Sequence, residues 1–431
     1  VNDAAPGTLT RELSLAGSTI GPVLGNFNSL IDYPYGCTEQ TMSRLVPSIV
    51  AMQLNKKLSV PLTGGDKIKF DRVYTEAMAK LASYQHGDGG WGWWQADTSQ
   101  PYLTSYVMEG MKLLQDTGYK VDTAAMQRAS QYNVQTTAEL VKQLSDPKRV
   151  ADDYFDREVM TDLSYLLYAK SLWSDKSQLS AADKAKALAA RSAAVTYLKN
   201  NINTLTPVAI AYSACAAKNL GDDALSKLMI ERLIAIANTS DSTVDWELTS
   251  QLATKIGDPK RHYWGYRFTP EETTALALAA LVEVKPEDTA TTERVKTWLL
   301  MQRGKDAWGT TKATAAVFKA LLAEELLNGQ GSKDSKISCL VSSIGDVIKQ
   351  TLPGQTYDLA NRYGAESLLP LSNQDKGYQL KLTTEGTGRL YYNAQTRYFK
   401  NLAGKTGPTG IANIPSDLSV GEVMLPDGRL V

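Results

Sequence analysis

Thiols and imidazoles are scarce in this chain: its 431 residues include three cysteines and two histidines. Three cysteines cannot form a disulfide scaffold, and no CxxC or paired Cys/His spacing suits zinc. With only His86 and His262 available, histidine-rich metal chemistry is excluded, and neither a metal nor an organic cofactor is expected. Excess charge is absent too, because 46 Lys+Arg balance 46 Asp+Glu. No basic stripe interleaves with aromatics, so nucleic acid is not an expected partner. Nor is there a run of about 18 apolar residues of the kind a membrane span needs. The opening VNDAAPGTL has neither an initiator Met nor the basic and apolar regions of a secretory signal. The expectation is a soluble piece of a longer chain, large enough for two domains or for one large helical domain with attachments.

From about residue 31 to 328 apolar residues recur at helical spacing between short Gly, Asp, Asn or Pro turns. Segments such as TMSRLVPSIVAMQL, LTSYVMEGMKLLQDTG and PEETTALALAALVEV carry capping residues near their ends. QHGDGGWGWW before YLTSYVMEGM, and QRGKDAWGTT before KATAAVFKAL, are one unit written twice. Each runs from a helix ending in Gln through a Gly/Asp turn and Trp-Gly to a Thr-led helix. Repeated helical hairpins of this kind predict a closed ring, an α/α toroid. Beyond residue 329 the texture changes to period-two alternation with β-branched and aromatic residues, as in KISCLVSSI, GYQLKLTTEG and LSVGEVMLPDGRLV. The opening GTLTRELSLAG alternates likewise. The fold class predicted is mainly α, a toroid inserted in or followed by a small antiparallel β-sandwich. The boundaries are 1–20 for a first β segment, 21–330 for the toroid and 331–431 for the remaining strands.

The string YPYGCTEQ, residues 33–40, holds the first cysteine. A cysteine thiolate can attack a nearby glutamine side-chain carbonyl and expel ammonia, leaving an internal thioester. Positions i and i+3 at a helix start share a face, so Cys37 and Gln40 can meet there. Gly36 permits unusual backbone angles before the cysteine, Pro34 stiffens the approach, and first-turn N–H groups can polarise the Gln40 carbonyl. The product is an electrophile open to amines, hydroxyls and water. It therefore needs a dry aromatic cover, for which Tyr33, Tyr35, Trp91, Trp93 and Trp94 are the candidates. The three tryptophans equally fit toroid core. The tetrad alone also fits a small buried Cys37 at a helix start; the longer string opening a helical repeat favours the covalent reading.

YPYGCTEQTMSRLVP resembles the thioester site of the α2-macroglobulin and complement C3 superfamily, in its bacterial α2-macroglobulin form. DGGWGWW, ETTALALAALVEV and WLLMQRGKDAWGTTKATAAVFKAL are similar to that family's thioester domain, so the resemblance covers most of the chain. It implies a toroid inserted in a CUB-like β domain, with Cys37 and Gln40 as the bonded pair and Gly36 and Glu39 as motif supports. It further implies a single-use protease trap, not a turnover enzyme: a protease cuts a bait segment elsewhere, and the exposed thioester acylates it. The implied partners are target proteases bonded through lysine amines, neighbouring macroglobulin-like domains and, in some members, a peptidoglycan synthase. The implied location is the periplasm, with the full-length protein held at the inner membrane by a lipid anchor that this sequence lacks. Hydroxyl-preferring relatives use a histidine before a helix resembling DLSYLLYAKSL. The corresponding DPKRVADDYFDREVMT has none, which predicts preference for amines.

Competing readings stay open. A toroid enzyme acting on a glycan or isoprenoid would need convergent carboxylates or a metal triad in the ring. A docking module would never form the thioester. His86 reads as a base or as a turn residue near the aromatics, the turn being favoured, and His262 as a packed aromatic turn. The glycines of GDGGWGWW lack the pattern of a phosphate loop. The acidic run ADDYFDRE reads as a solvated face. Cys215 reads as a small buried residue, and its pairing with Cys339 is not expected.

Overall fold

The computed structural model describes residues 10–16, 36–58, 64–149, 153–173, 181–249, 268–303, 308–328, 337–344, 355–358, 367–371, 379–386 and 391–397, with Leu252 and Lys255. The chain divides into two compact units, one of Val23–Lys333 and one of Val1–Pro22 with Asp334–Val431.

In the first unit the helices run α1 (Thr38–Leu58), α2 (Gly64–Tyr84), α3 (Pro101–Asp116), α4 (Thr123–Leu144), α5 (Asp153–Ser171), α6 (Ala181–Asn200), α7 (Pro207–Asn219) and α8 (Asp223–Ile236). A short hairpin follows, β2 (Asn238–Thr239) with β3 (Val244–Asp245), and then α9 (Pro270–Val284), α10 (Thr289–Met301) and α11 (Thr311–Asn328). The starts obey local chemistry. Pro101, Pro207 and Pro270 occupy first-turn positions where the missing N–H costs nothing. Thr206 and Thr269 cap their helices by accepting from the N–H of Ala209 at 3.1 Å and of Glu272 at 3.2 Å. Asp122, Asp222 and Asp288 do the same for α4, α8 and α10.

Alternate helices pack into a ring. α1 lies against α3, α3 against α5, and so on through α7, α9 and α11, and α11 returns to α1. The even-numbered helices pack outside them. Burial explains this sorting. On α3 every residue from 102 to 111 is buried, and on α7 every residue from 207 to 217. On outer α4 only a stripe is covered, formed by Ala125, Met126, Ala129, Asn133, Thr137 and Leu144. A helix apolar all round must be surrounded, whereas one with a stripe can face water. The Ala-rich α7 also lets its neighbours approach closely. The ring closure predicted from the repeats is thus present, and the chain has the toroid fold.

Among the described residues the repeated unit occurs three times, not twice. Trp91, Trp246 and Trp308 are each 1% exposed. Each indole N–H donates to the last turns of the preceding outer helix, at Leu81, Leu233 and Leu299 O, over 2.8, 2.9 and 2.6 Å. Each backbone N–H donates to a threonine of the following inner helix, Thr104, Thr274 or Thr314, over 2.9, 3.2 and 3.0 Å. One tryptophan thus rivets an outer helix to the next inner one. The third copy escapes the sequence because its turn is TSDSTVDWE rather than Gly-rich.

In the second unit β1 (Thr10–Ala16) is the central strand of one antiparallel sheet, between β6 (Ser367–Leu371) and β8 (Tyr391–Arg397). Leu13 lies opposite Leu369 on one side and Ala394 on the other. Leu13 and Leu15, two apart and so on one face, are both buried. β4 (Ile337–Ile344) centres a second antiparallel sheet between β5 (Gln355–Asp358) and β7 (Gln379–Gly386). The opening strand therefore pairs with strands that follow the helices in sequence. The strand expected within 418–431 lies outside the described residues.

Candidate functional site

Cys37 immediately precedes α1 and is 6% exposed. Its sulfur accepts from the Gln40 N–H at 3.4 Å, while Gln40 Oε1 accepts from the Cys37 N–H at 3.3 Å. This reciprocity is that of a capping box, with cysteine in the place of serine. The i, i+3 spacing that caps the helix also sets the thiol and the carboxamide side by side. Thr41 closes the turn, its N–H and hydroxyl donating to Cys37 O at 2.9 and 2.8 Å. Burial pushes the Cys37 thiol above its ordinary pKa, opposed by the Gln40 N–H, and nearby Glu39 raises it further. An unbonded thiol here is therefore mostly protonated at neutral pH.

Glu39, half-buried in the first turn of α1, is held by Ser43. Ser43 Oγ donates to its Oε1 at 2.6 Å and lies 3.1 Å from the Tyr106 hydroxyl. Burial raises the Glu39 pKa, against the Ser43 hydrogen bond and the Lys312 charge. Lys80 Nζ donates to Gly36 O at 3.0 Å, and a Cβ at Gly36 would meet that flexible side-chain end and displace it.

The expected aromatic cover divides. Tyr33 and Tyr35 lie outside the described residues. The Trp91 ring is core, one of the three rivets. Trp93 and Trp94 are 45% and 55% exposed; what the loop delivers to α1 is backbone, since Trp93 O accepts the Thr38 N–H at 3.0 Å. Asp97 holds this loop through the N–H groups of Trp93 and Trp94, at 2.7 and 3.2 Å. His86 belongs to the same turn, with Nδ1 2.9 Å from Ser99 Oγ and Nε2 3.1 Å from Trp94 O. Gly89 closes it with a φ of 92°, open to glycine at little cost.

Between the inner helices, near Glu39, lie paired charges and tyrosines. Lys312 Nζ lies 3.0 Å from Glu272 Oε2, and 4.7 and 4.3 Å from the ring centroids of Tyr102 and Phe268. Lys319 pairs with Glu109, which also accepts from the Tyr165 hydroxyl at 2.5 Å. Tyr165 stacks on Tyr212 with centroids 4.1 Å apart. Burial raises the Glu272 pKa to about 7 against the pull of Lys312. Sequence reasoning misses these carboxylates. Their signal is charge inside apolar helices: Glu109 amid YVMEGM, and Lys312 and Lys319 on one face of α11. The cavity among them measures about 30 Å³, room for about one water. Both acids, Glu109 and Glu272, are matched by lysines.

Cys215 is a buried free thiol on α7, its pKa raised well above the ordinary value by burial first and by Glu283 next. The Cys339 side chain and His262 lie outside the described residues. The acidic run is not wholly solvated. Asp156 is ion-paired with Arg149, and Arg157 is buried against Thr204 O; Asp152 and the Asp153 side chain lie outside the described residues.

The family model of the A-macroglobulin TED domain matches residues 10–323. The α2-macroglobulin of Thermotoga maritima is 32% identical over 158 residues, 37% of this chain and 10% of that protein. That of Escherichia coli K12 is 29% identical over 168 residues, 38% of this chain and 10% of that protein. The aligned part is thus a tenth of each relative's length. Native E. coli α2-macroglobulin superposes with a TM-score of 0.54 at 21% identity, over 93% of this chain and 22% of that one. Salmonella α2-macroglobulin reacted with methylamine gives 0.55 at 19% identity, over 94% of this chain and 23% of that one. With a match spanning most of its length and a closed toroid opened by a Cys-Gln capping box, the chain belongs to the A-macroglobulin TED-domain family.

Proposed function

We propose that Cys37 Sγ and Gln40 Cδ join as an internal thioester, and that this single-use electrophile acylates lysine amines of an attacking protease. The observation that carries the reading is the pair of reciprocal hydrogen bonds at 3.3 and 3.4 Å, which brings thiol and carboxamide to one helix end. Formation joins C to S and expels ammonia. Attack by an amine forms a C–N bond, breaks C–S and leaves a free thiol and an amide. Family membership supports the inhibitor reading, and the Salmonella relative solved after reaction with methylamine supports the choice of probe. With no histidine in residues 146–161, amines are the preferred acceptors over hydroxyls.

The larger setting belongs to the same proposal. Bait cleavage occurs elsewhere in a longer chain of macroglobulin-like domains, beside a CUB-like β domain. That chain resides in the periplasm, lipid-anchored at the inner membrane, in some settings near a peptidoglycan synthase. Trp93, whose carbonyl accepts the Thr38 N–H, lies beside the α1 start.

Intact mass tests the bond. The cross-linked chain is lighter than its sequence by one ammonia, and methylamine adds its own mass while freeing one thiol. Cys37→Ser keeps the cap, because serine is at least as good an N-cap, and abolishes both signals. A wild-type mass equal to the sequence, with glutamine rather than glutamate at position 40, refutes the bond. Glycerol esterification as fast as amidation refutes the amine preference.

A further inference from the structure

We propose that Lys80 on α2 is a positioning residue for this chemistry, acting through the Gly36–Cys37 peptide on the carbonyl that is attacked. The inference rests on the thioester reading above. Lys80 Nζ donates to Gly36 O at 3.0 Å. The N–H of the same peptide group belongs to Cys37 and donates to Gln40 Oε1 at 3.3 Å. One rigid amide therefore carries an ammonium on its oxygen and the reacting carbonyl on its nitrogen. A cation on a peptide oxygen withdraws electron density and makes the N–H a stronger donor, the cooperativity of linked hydrogen bonds in a low-dielectric setting.

The same oxygen is involved in both directions of the reaction. In formation the Cys37 thiol sulfur adds to Gln40 Cδ, the carbonyl π pair moves onto Oε1, the thiol proton passes to the carboxamide nitrogen, and collapse expels ammonia. In opening an amine adds to Cδ, the π pair again rests on Oε1, and collapse breaks C–S; the sulfur takes the surplus amine proton. Each intermediate places negative charge opposite the Cys37 N–H, where a preorganised donor counts most. The glycine at position 36 belongs to this device, because a Cβ there would collide with the Lys80 ammonium and evict it.

The test compares methylamine-triggered thiol release and ammonia loss in the 431-residue chain, wild type and variants, with melting followed in parallel. Lys80→Met should slow release about tenfold, less than the 10²–10³ lost with a direct oxyanion donor, while melting stays near wild type. Lys80→Arg should recover most of the rate. Gly36→Ala should slow release about as much as Lys80→Met, and the double variant no more than either single change, as coupled residues do. A Lys80→Met chain that melts normally but never loses ammonia also supports the proposal, since formation uses the same polarised carbonyl. Wild-type rates in Lys80→Met, fully multiplicative losses in the double variant, or loss of folding in Lys80→Met would each overturn it. If wild type shows neither ammonia loss nor a releasable thiol, the thioester reading falls and this inference with it. If wild type reacts and Lys80→Met matches it, only the role of Lys80 falls.

Discussion

A buried carboxyl group must find a partner or keep its proton, and Glu272 does some of each. It is 3% exposed and paired with Lys312, yet burial still raises its pKa to about 7. The folded chain therefore binds more protons than the unfolded one between the ordinary carboxyl value of 4.5 and about 7. Stability from this group is greatest below that window, falls as pH rises through it, and is lowest above it. Replacing Glu272 by Gln removes the titration. The wild-type-minus-variant difference in unfolding free energy should shift towards the variant by roughly 3 kcal/mol at most as pH rises through the window. Urea unfolding at pH 5 and pH 8 measures it, and a difference independent of pH contradicts the assignment. Cys37 shows the same logic with sulfur. Burial holds it as a thiol, so the site depends on local donors rather than on a ready-made thiolate.

Between residue and ring stands the tryptophan rivet. Trp91 and Trp308 come from similar Gly-containing turns and Trp246 from a turn without glycine, yet each makes the same two hydrogen bonds, one back to an outer helix and one forward to a threonine. Thr104, Thr274 and Thr314 are each buried, at 0% exposure. Exchanging any of them for valine keeps the shape and leaves a buried backbone N–H without its acceptor. Each should therefore cost about 1–3 kcal/mol. Denaturant midpoints of the three variants check this, and agreement among them is the stronger outcome. Unequal losses would mean that the copies are alike in geometry only. The first rivet also bears on the candidate site. Trp91 anchors the loop whose next residues present the Trp93 carbonyl to the first turn of α1.

A ring of helices must join its last element to its first, and here α11 meets α1 while its lysines pair with acids of two other inner helices. Lys319 pairs with Glu109 of α3, and Lys312 with Glu272 of α9. Replacing Lys319 by Met leaves the Glu109 carboxylate with the Tyr165 hydroxyl but without its ammonium partner. The expected loss is about 3–5 kcal/mol, and converting Glu109 to Gln in the same chain should recover much of it. Urea unfolding of the single and double variants decides this. Equal losses in both would show that the lysine stem, not the charge pair, matters.

Much of this arrangement is legible in the residue order, because helices and caps are local. Helical spacing, prolines at first-turn positions and the Cys37–Gln40 interval each depend on neighbours within about one turn. They announce the helical ring and the end of α1 as the place to look. Two copies of the rivet are readable from their Gly-rich turns. Other features depend on residues far apart in the chain, and only tertiary structure decided them. Lys80 lies 44 positions from Gly36 and Lys319 lies 210 from Glu109, separations that no periodicity encodes. Trp91 and Trp93 belong to one aromatic run, yet one ring is core and the other is exposed. Burial is a property of what packs against a side chain, so the helix ends followed from the sequence while the partners in the ring had to wait for the fold.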